Sequence, residues 1–205
     1  MEICLLRHSE SESSLIPTPF NGALDGPLTK KGLLQARNLC KSLQSEKIEI
    51  AFVSSLLRTK QTAEEIIKQT DSNIPIKADK RLNELSPGVF GGLSLEEIKD
   101  QYKDVFLLRQ KDKFNYVIPG GESYKMVYDR VSSFIKELLT KNKYSKVLIV
   151  THATTLKILL YLITKKDLKE IESVFYGHNE YFKFDLKLNK GVIEVKSSEI
   201  KHLEL

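Results

Sequence analysis

Apolar residues along the chain concentrate in three short runs, several stretches of helical period and one alternating tail. Ile3 to Leu6 is the first run and is closed at once by charge; Ile48 to Val53 and Lys146 to Val150 are the others. Short apolar runs of this kind read as strands buried on both faces, as in a mostly parallel sheet covered by helices. Elsewhere the period changes. Leu33, Ala36, Cys40 and Leu43 share one helical face after Thr29, and Val127, Val131, Phe134, Ile135 and Leu138 share another after Ser123. Further helices are predicted from the Ser54-Ser55 pair to about Gln69, from Leu93 to about Gln110, and from about Thr154 to Ile163. Asp71 to Asn73 reads as a turn and Ile74 to Ala78 as a short strand; Pro119-Gly120-Gly121 breaks the chain. Glu180 to Leu188 alternates, and Asn189-Lys190-Gly191 turns it into Val192 to Lys196, a β-hairpin closing a sheet edge.

Each of the three runs ends on chemistry. Arg7 and His8 follow the first, Arg58 lies in the first turn of the helix after the second, and Thr151-His152 follows the third. In open α/β sheets ligands bind beyond the carboxyl ends of the strands. Two guanidiniums and two imidazoles delivered there suit a phosphoryl group, whose oxygens match forked donors and whose charge the cations offset. Helix N-termini beside Arg58 and His152 add backbone donors. Taken alone, the Arg7-His8 pair would more often merely solvate its strand end; an arginine or histidine returning at all three ends favours a shared anion site.

These stretches resemble the histidine phosphatase superfamily, the phosphoglycerate-mutase-like group. The resemblance rests on Leu6-Arg7-His8-Ser9-Glu10, on Asp25-Gly26-Pro27-Leu28-Thr29 with Gly32, Gln35 and Ala36, and on Ser54-Ser55 with Arg58, Thr62 and Ala63. It continues through Leu82-Asn83-Glu84-Leu85, Pro119-Gly120-Gly121-Glu122-Ser123 and Val150-Thr151-His152-Ala153, in the family's order over about residues 1 to 185. It implies an α/β fold of three layers, a central mostly parallel sheet flanked by helices, ending in the C-terminal β-hairpin. It also implies that His8 is the nucleophile, that Arg7, Arg58 and His152 hold the phosphoryl oxygens, and that Glu84 is the proton donor. Three departures stand out. Ser9 replaces the glycine that usually follows the histidine and either crowds the phosphate or donates to it. The segment from Ser11 to Asn21 lacks the family's tryptophan-asparagine pair, leaving Asn21 as a candidate phosphate contact. Pro87 and Gly91 stand where many relatives carry an aromatic and an acid. Residues 85–122 are expected to form a substrate-selecting cap. Its Lys99, Lys103, Arg109, Lys111 and Lys113 either reach a second anionic group or form a solvated charged face, and the second reading is favoured.

Composition narrows the alternatives. With 205 residues and 41% hydrophobic content the chain can bury one full core, and residues 1–205 read as a single domain. Met1 leads directly into the first strand, and the most apolar stretch, Leu156 to Ile163, is too short to span a bilayer and carries Lys157, so a cytoplasmic protein without a membrane partner is expected. Cys4 and Cys40 read as packing residues of a reducing compartment. The net charge of +5 raises nucleic-acid binding, but the lysines are scattered among acids and no aromatic-interleaved basic patch occurs. A small phosphorylated substrate is the expected partner, for a monomer or homodimer. No Cys-x5-Arg, phosphate-binding Gly-x4-Gly-Lys loop, Gly-x-Ser-x-Gly elbow or His-x3-His pair is present, so neither a cofactor nor a metal is expected. His178 and His202 are not taken as ligands. A phosphomonoester hydrolase of the phosphatase branch is the favoured reading. A phosphoglycerate mutase, a phosphoprotein phosphatase and a non-catalytic phosphate-binding module are the alternatives; the resemblance sets the mutase apart by a longer insert after Glu84 and a paired-arginine segment, neither of which is found here.

Overall fold

The computed structural model describes residues 1–68, 73–174, 176–178 and 180–202. Its centre is one six-stranded sheet ordered β3-β2-β4-β1-β5-β6, with β1 Glu2–Arg7, β2 Ile50–Val53, β3 Ile76–Ala78, β4 Lys146–Thr151, β5 Glu180–Asn189 and β6 Val192–His202. The pairings β3-β2, β2-β4 and β4-β1 are parallel, whereas β5 runs antiparallel to β1 and forms the hairpin with β6.

Side chains alternate across the strands and so divide the core into two. Ile3 and Leu5 of β1 join Val147 and Ile149 of β4 beneath helices α5 (Tyr124–Lys141) and α6 (Ala153–Thr164). On the opposite face Cys4 and Leu6 join Leu148 and Val150 under α1 (Lys30–Leu43) and α2 (Leu57–Ile67). The result is the three-layer α/β architecture expected, hairpin included. Both cysteines are free and buried, as packing residues should be. Thr29 caps α1 by accepting from the Gly32 N–H at 2.9 Å, and Ser123 caps α5 through the Met126 N–H. No helix among the described residues is long and apolar enough to cross a membrane.

Several boundaries differ from the sequence reading. The helix expected over 93–110 is two helices, α3 (Leu95–Gln101) and α4 (Lys103–Lys111). The backbone leaves the helical region at Tyr102, whose ring packs edge-on against Phe90. The second strand starts at Ile50, three residues after Lys47, which is left-handed at φ 52°. The third starts at Ile76, after Pro75, which has no N–H to give a ladder. The hairpin's second strand runs on to His202. Neither Ser54 nor Ser55 caps α2; its N-cap is Leu56 without a side-chain bond, and the Leu57 N–H is instead met by Asp25 Oδ2 at 2.7 Å. That helix ends at Ile67; Gln69, and positions 71 and 72 of the expected turn, lie outside the described residues.

Candidate active site

Strand register brings the chemistry together. Arg7 pairs with Thr151 across the parallel β1-β4 ladder, and the His8 N–H extends it by donating to Thr151 O at 2.8 Å. The residues after each strand, His8 and His152, are therefore neighbours, with ring centroids 5.1 Å apart in an edge-to-face arrangement. Val53 lies opposite Val150 in the adjacent β2-β4 ladder, so the turn after β2 delivers Arg58, in the first turn of α2, to the same point.

The hydrogen bonds of His8 fix its tautomer. Nδ1 lies 2.8 Å from Ser9 O, a carbonyl that can only accept, so Nδ1 carries the proton. Nε2 accepts from Arg58 Nε at 3.2 Å and therefore presents its lone pair. Burial, reinforced by Arg58 and Arg7, pushes the His8 pKa well below the ordinary histidine value, so the ring is neutral at physiological pH. His152 is held down likewise, by burial and then by His8 and the two arginines. Its Nε2 lies 2.7 Å from Ser54 Oγ, and its Nδ1 is buried with no partner among the described residues.

Both arginines are largely desolvated, which lowers their pKa values from the ordinary guanidinium range, and nearby Glu84 opposes the shift. Arg7 donates from one terminal nitrogen to Tyr176 O at 3.3 Å, and its Nε has no partner among the described residues. Arg58 is held by Leu24 O at 2.7 Å, Gly22 O at 3.0 Å and Asp25 Oδ1 at 3.3 Å. Asp25 thus aims Arg58 while also capping its helix.

Glu84 reaches the start of α6. One carboxylate oxygen accepts from the Thr154 N–H at 3.1 Å; the other accepts from Leu85 N–H at 2.8 Å, Thr155 N–H at 3.2 Å and Thr155 Oγ1 at 3.3 Å. Such helix-terminal donors hold an acid side chain in one orientation. Gly22 is what allows the approach, because a Cβ there would lie 2.4 Å from Glu84 Cγ.

A cavity of about 240 Å³ opens between these groups, lined by Arg7, His8, Arg58 and Glu84 together with Asn21 and Thr154 among others. Four of the five residues proposed for catalysis therefore face one space. His152 is fully buried beside His8 and does not line it. Ser9 is also fully buried; its carbonyl orients His8, while its hydroxyl has no partner among the described residues. Asn21 lines the cavity, but its amide N–H groups are directed at Ser13 O, 3.0 Å, and Ile16 O, 3.3 Å, where they hold the loop. Of the expected cap, Leu85 and Pro87 reach the cavity. Its chain enters and leaves at one place, where Val89 N–H donates to Pro119 O and Glu122 N–H to Ser86 O, both at 3.0 Å. Lys99, Lys103 and Lys111 are exposed, Lys113 pairs with Glu172 at 3.1 Å, and Arg109 is buried over the rings of Phe20 and Tyr124. None of the five lines the cavity. No group of three or more His, Cys, Asp or Glu among the described residues could hold a metal.

Sequence reasoning missed three contributors. Asp25 and Ser54 lie inside quoted motifs but were read there as turn and cap, because their targets belong to distant segments. His178 had no signal at all. It lies 170 residues from His8, yet its Nδ1 is 2.5 Å from His8 O and its ring centroid is 5.6 Å from that of His8.

Comparison with known proteins gives the same superfamily. Residues 3–196 match the model of the histidine phosphatase superfamily (branch 1). Phosphoserine phosphatase 1 of Hydrogenobacter thermophilus is 27% identical over 94% of this chain and 90% of its own. A 6-phosphofructo-2-kinase/fructose-2,6-bisphosphatase of Aquarana catesbeiana is 33% identical over 82% of this chain, which spans only 34% of that longer protein. The crystal structure of the alpha-ribazole phosphatase from Shigella flexneri superposes with a TM-score of 0.81 over 96% of this chain and 95% of that one, at 22% identity. The fold is the phosphoglycerate-mutase-like one.

Proposed function

The chain belongs to branch 1 of the histidine phosphatase superfamily, and from that membership we propose that it hydrolyses a small phosphomonoester through a phosphohistidine formed on His8. The observation that carries this reading is the state of His8: a neutral imidazole whose proton is fixed on Nδ1 and whose Nε2 accepts from Arg58 at the wall of a cavity lined by His8, both arginines and Glu84.

In this reading the phosphoryl oxygens take over Arg58 from the Gly22 and Leu24 carbonyls and engage Arg7, whose Nε has no partner among the described residues; His152, which does not line the cavity, packs on His8 behind them. Arg58 Nε then releases the lone pair. His8 Nε2 forms a bond to phosphorus as the ester P–O bond breaks in line with it. Glu84 takes up a proton with the arriving phosphomonoester, gives it to the departing alkoxide and so returns to a carboxylate. A water molecule then attacks the phosphohistidine, the P–N bond breaks, and Glu84 recovers the proton from that water. Two guanidiniums supply the positive charge that phosphoryl transfer requires, so catalysis through this site needs no metal. The cavity is smaller than the roughly 300–1,000 Å³ of most ligand sites, which suits a small metabolite. The names of the relatives, phosphoserine phosphatase and fructose-2,6-bisphosphatase, support that class. The two free, buried thiols suit a cytoplasmic setting. Residues 85–122 serve as the cap over this cavity, entering and leaving through the paired strands of backbone at Ser86 and Pro119.

The test is release of inorganic phosphate from a panel of phosphorylated metabolites, with and without exhaustive EDTA treatment. Release that survives EDTA and is lost in His8→Ala is expected. Turnover abolished by EDTA and restored by magnesium would sink the metal-free scheme, and no release from any ester would sink the hydrolase.

A further inference from the structure

The orientation of His8 depends on the two peptide groups that follow it. The first consists of His8 C=O and Ser9 N–H, the second of Ser9 C=O and Glu10 N–H. In a trans peptide the carbonyl and the N–H point to opposite sides, so holding both fixes the plane. The Ser9 N–H donates to Thr62 Oγ1 of α2 at 3.0 Å, and the Glu10 N–H donates to Gln35 Oε1 of α1 at 2.9 Å. The remaining anchor is the His8 carbonyl, and it is met by His178 Nδ1 at 2.5 Å from the segment leading into β5. A carbonyl has no proton to give, so His178 must be the donor. Burial and the neighbouring Arg7 push the His178 pKa down to about 4, leaving the ring neutral near pH 7 with its one proton on Nδ1.

We propose that His178 is a positioning residue for the nucleophile: by hydrogen-bonding the His8 carbonyl it completes a three-sided clamp, with Thr62 and Gln35, on the peptides that aim Ser9 O at His8 Nδ1. The clamp sets which nitrogen of His8 carries the proton and therefore which one attacks. The His178 ring also packs against the His8 ring, as that of His152 does, with centroids 5.6 and 5.1 Å away. Without His178 the first peptide is held by its N–H alone, Ser9 O can swing away, and Nδ1 loses the acceptor that defines its tautomer. The catalytic consequence rests on His8 being the nucleophile, whereas the tautomer consequence holds in the free protein.

His178→Leu removes the donor, and His178→Asn keeps an amide N–H near the position of Nδ1. A misplacement on the order of 1 Å costs about 10²-fold in rate. The Leu variant should therefore lose about 10²-fold in kcat with KM within about two-fold, while the Asn variant should keep most of its kcat. In the free proteins, ¹⁵N spectra of the histidine side chains should show His8 as the Nδ1–H tautomer in wild type and His178→Asn, and as a tautomer mixture in His178→Leu. An unchanged kcat and a single tautomer in His178→Leu would overturn the proposal. Equal losses in the Asn and Leu variants would also overturn it, by marking a packing role. If the wild type formed no phosphohistidine, the hydrolase reading would fall, and the ¹⁵N spectra would still decide the clamp.

Discussion

Replacing Gly22 with alanine tests how Glu84, the proposed proton donor, is held. The new Cβ would lie 2.4 Å from Glu84 Cγ, whereas carbon atoms in contact settle at about 3.5–4.0 Å. The pair must therefore separate by more than about 1 Å. Glu84 is fastened by the Thr154 and Thr155 N–H groups at 3.1 and 3.2 Å, so a shift of that size breaks both bonds and removes the carboxyl from its aim. General acid catalysis contributes about 10² to 10⁴ in rate, and losing the alignment should cost about 10²-fold on an alkyl phosphate. A p-nitrophenyl ester, whose leaving group departs without protonation, should lose much less. The comparison has to be made on the first turnover, following phosphorylation of His8, because in the proposed scheme Glu84 also serves the hydrolysis step. Glu84→Gln is the control and should show the same discrimination. If the loop yields instead of Glu84, the Gly22 carbonyl leaves Arg58 and both substrates slow equally. First-turnover rates like wild type on both substrates would refute the argument that Gly22 makes room for the acid.

Two further outcomes follow from the same geometry. Folded His178 has its pKa lowered to about 4 and His8 and His152 are also held below the 6.5 of a free histidine, so the unfolded chain binds protons that the folded one rejects. Their contribution to stability is intact above pH 6.5 and is lost as the pH falls from 6.5 towards 4; thermal melting from about pH 7 to about pH 5 should show a falling midpoint, shallower in His178→Asn, and a flat profile would contradict the burial argument. Supplied with 3-phosphoglycerate and a bisphosphorylated primer, the protein should release phosphate faster than it forms 2-phosphoglycerate; rapid isomerisation without free phosphate would make it a mutase.

The sheet and the central residues were legible because both are local. Each strand run and the candidate site residue that follows it lie within a few positions, and parallel register then places His8 beside His152 without further information. The proposed proton donor was legible only through the motif around Glu84, since nothing in its spacing predicts that it reaches the first turn of α6. What escaped is tertiary. The Asp25 carboxylate serves a helix 32 residues on, and His178 meets a carbonyl 170 residues back. Asn21, read as a candidate phosphate contact, lines the cavity, but which way an amide points depends on competing carbonyls, here Ser13 O and Ile16 O, that composition does not reveal. The break at Tyr102 falls in a stretch with continuous helical propensity, and it coincides with packing of that ring on Phe90 from a distant loop.

The most direct measurement is capture of the phosphoenzyme. Rapid quenching without acid, using substrate labelled in the phosphoryl group, followed by digestion and peptide mapping, should place label on the peptide containing Arg7 to Glu10. That label should be stable to base and labile to acid, as a phosphoramidate is, and absent from His8→Ala. Label that survives acid and maps to Ser9, or turnover with no label on His8 at any time, would contradict covalent transfer through His8.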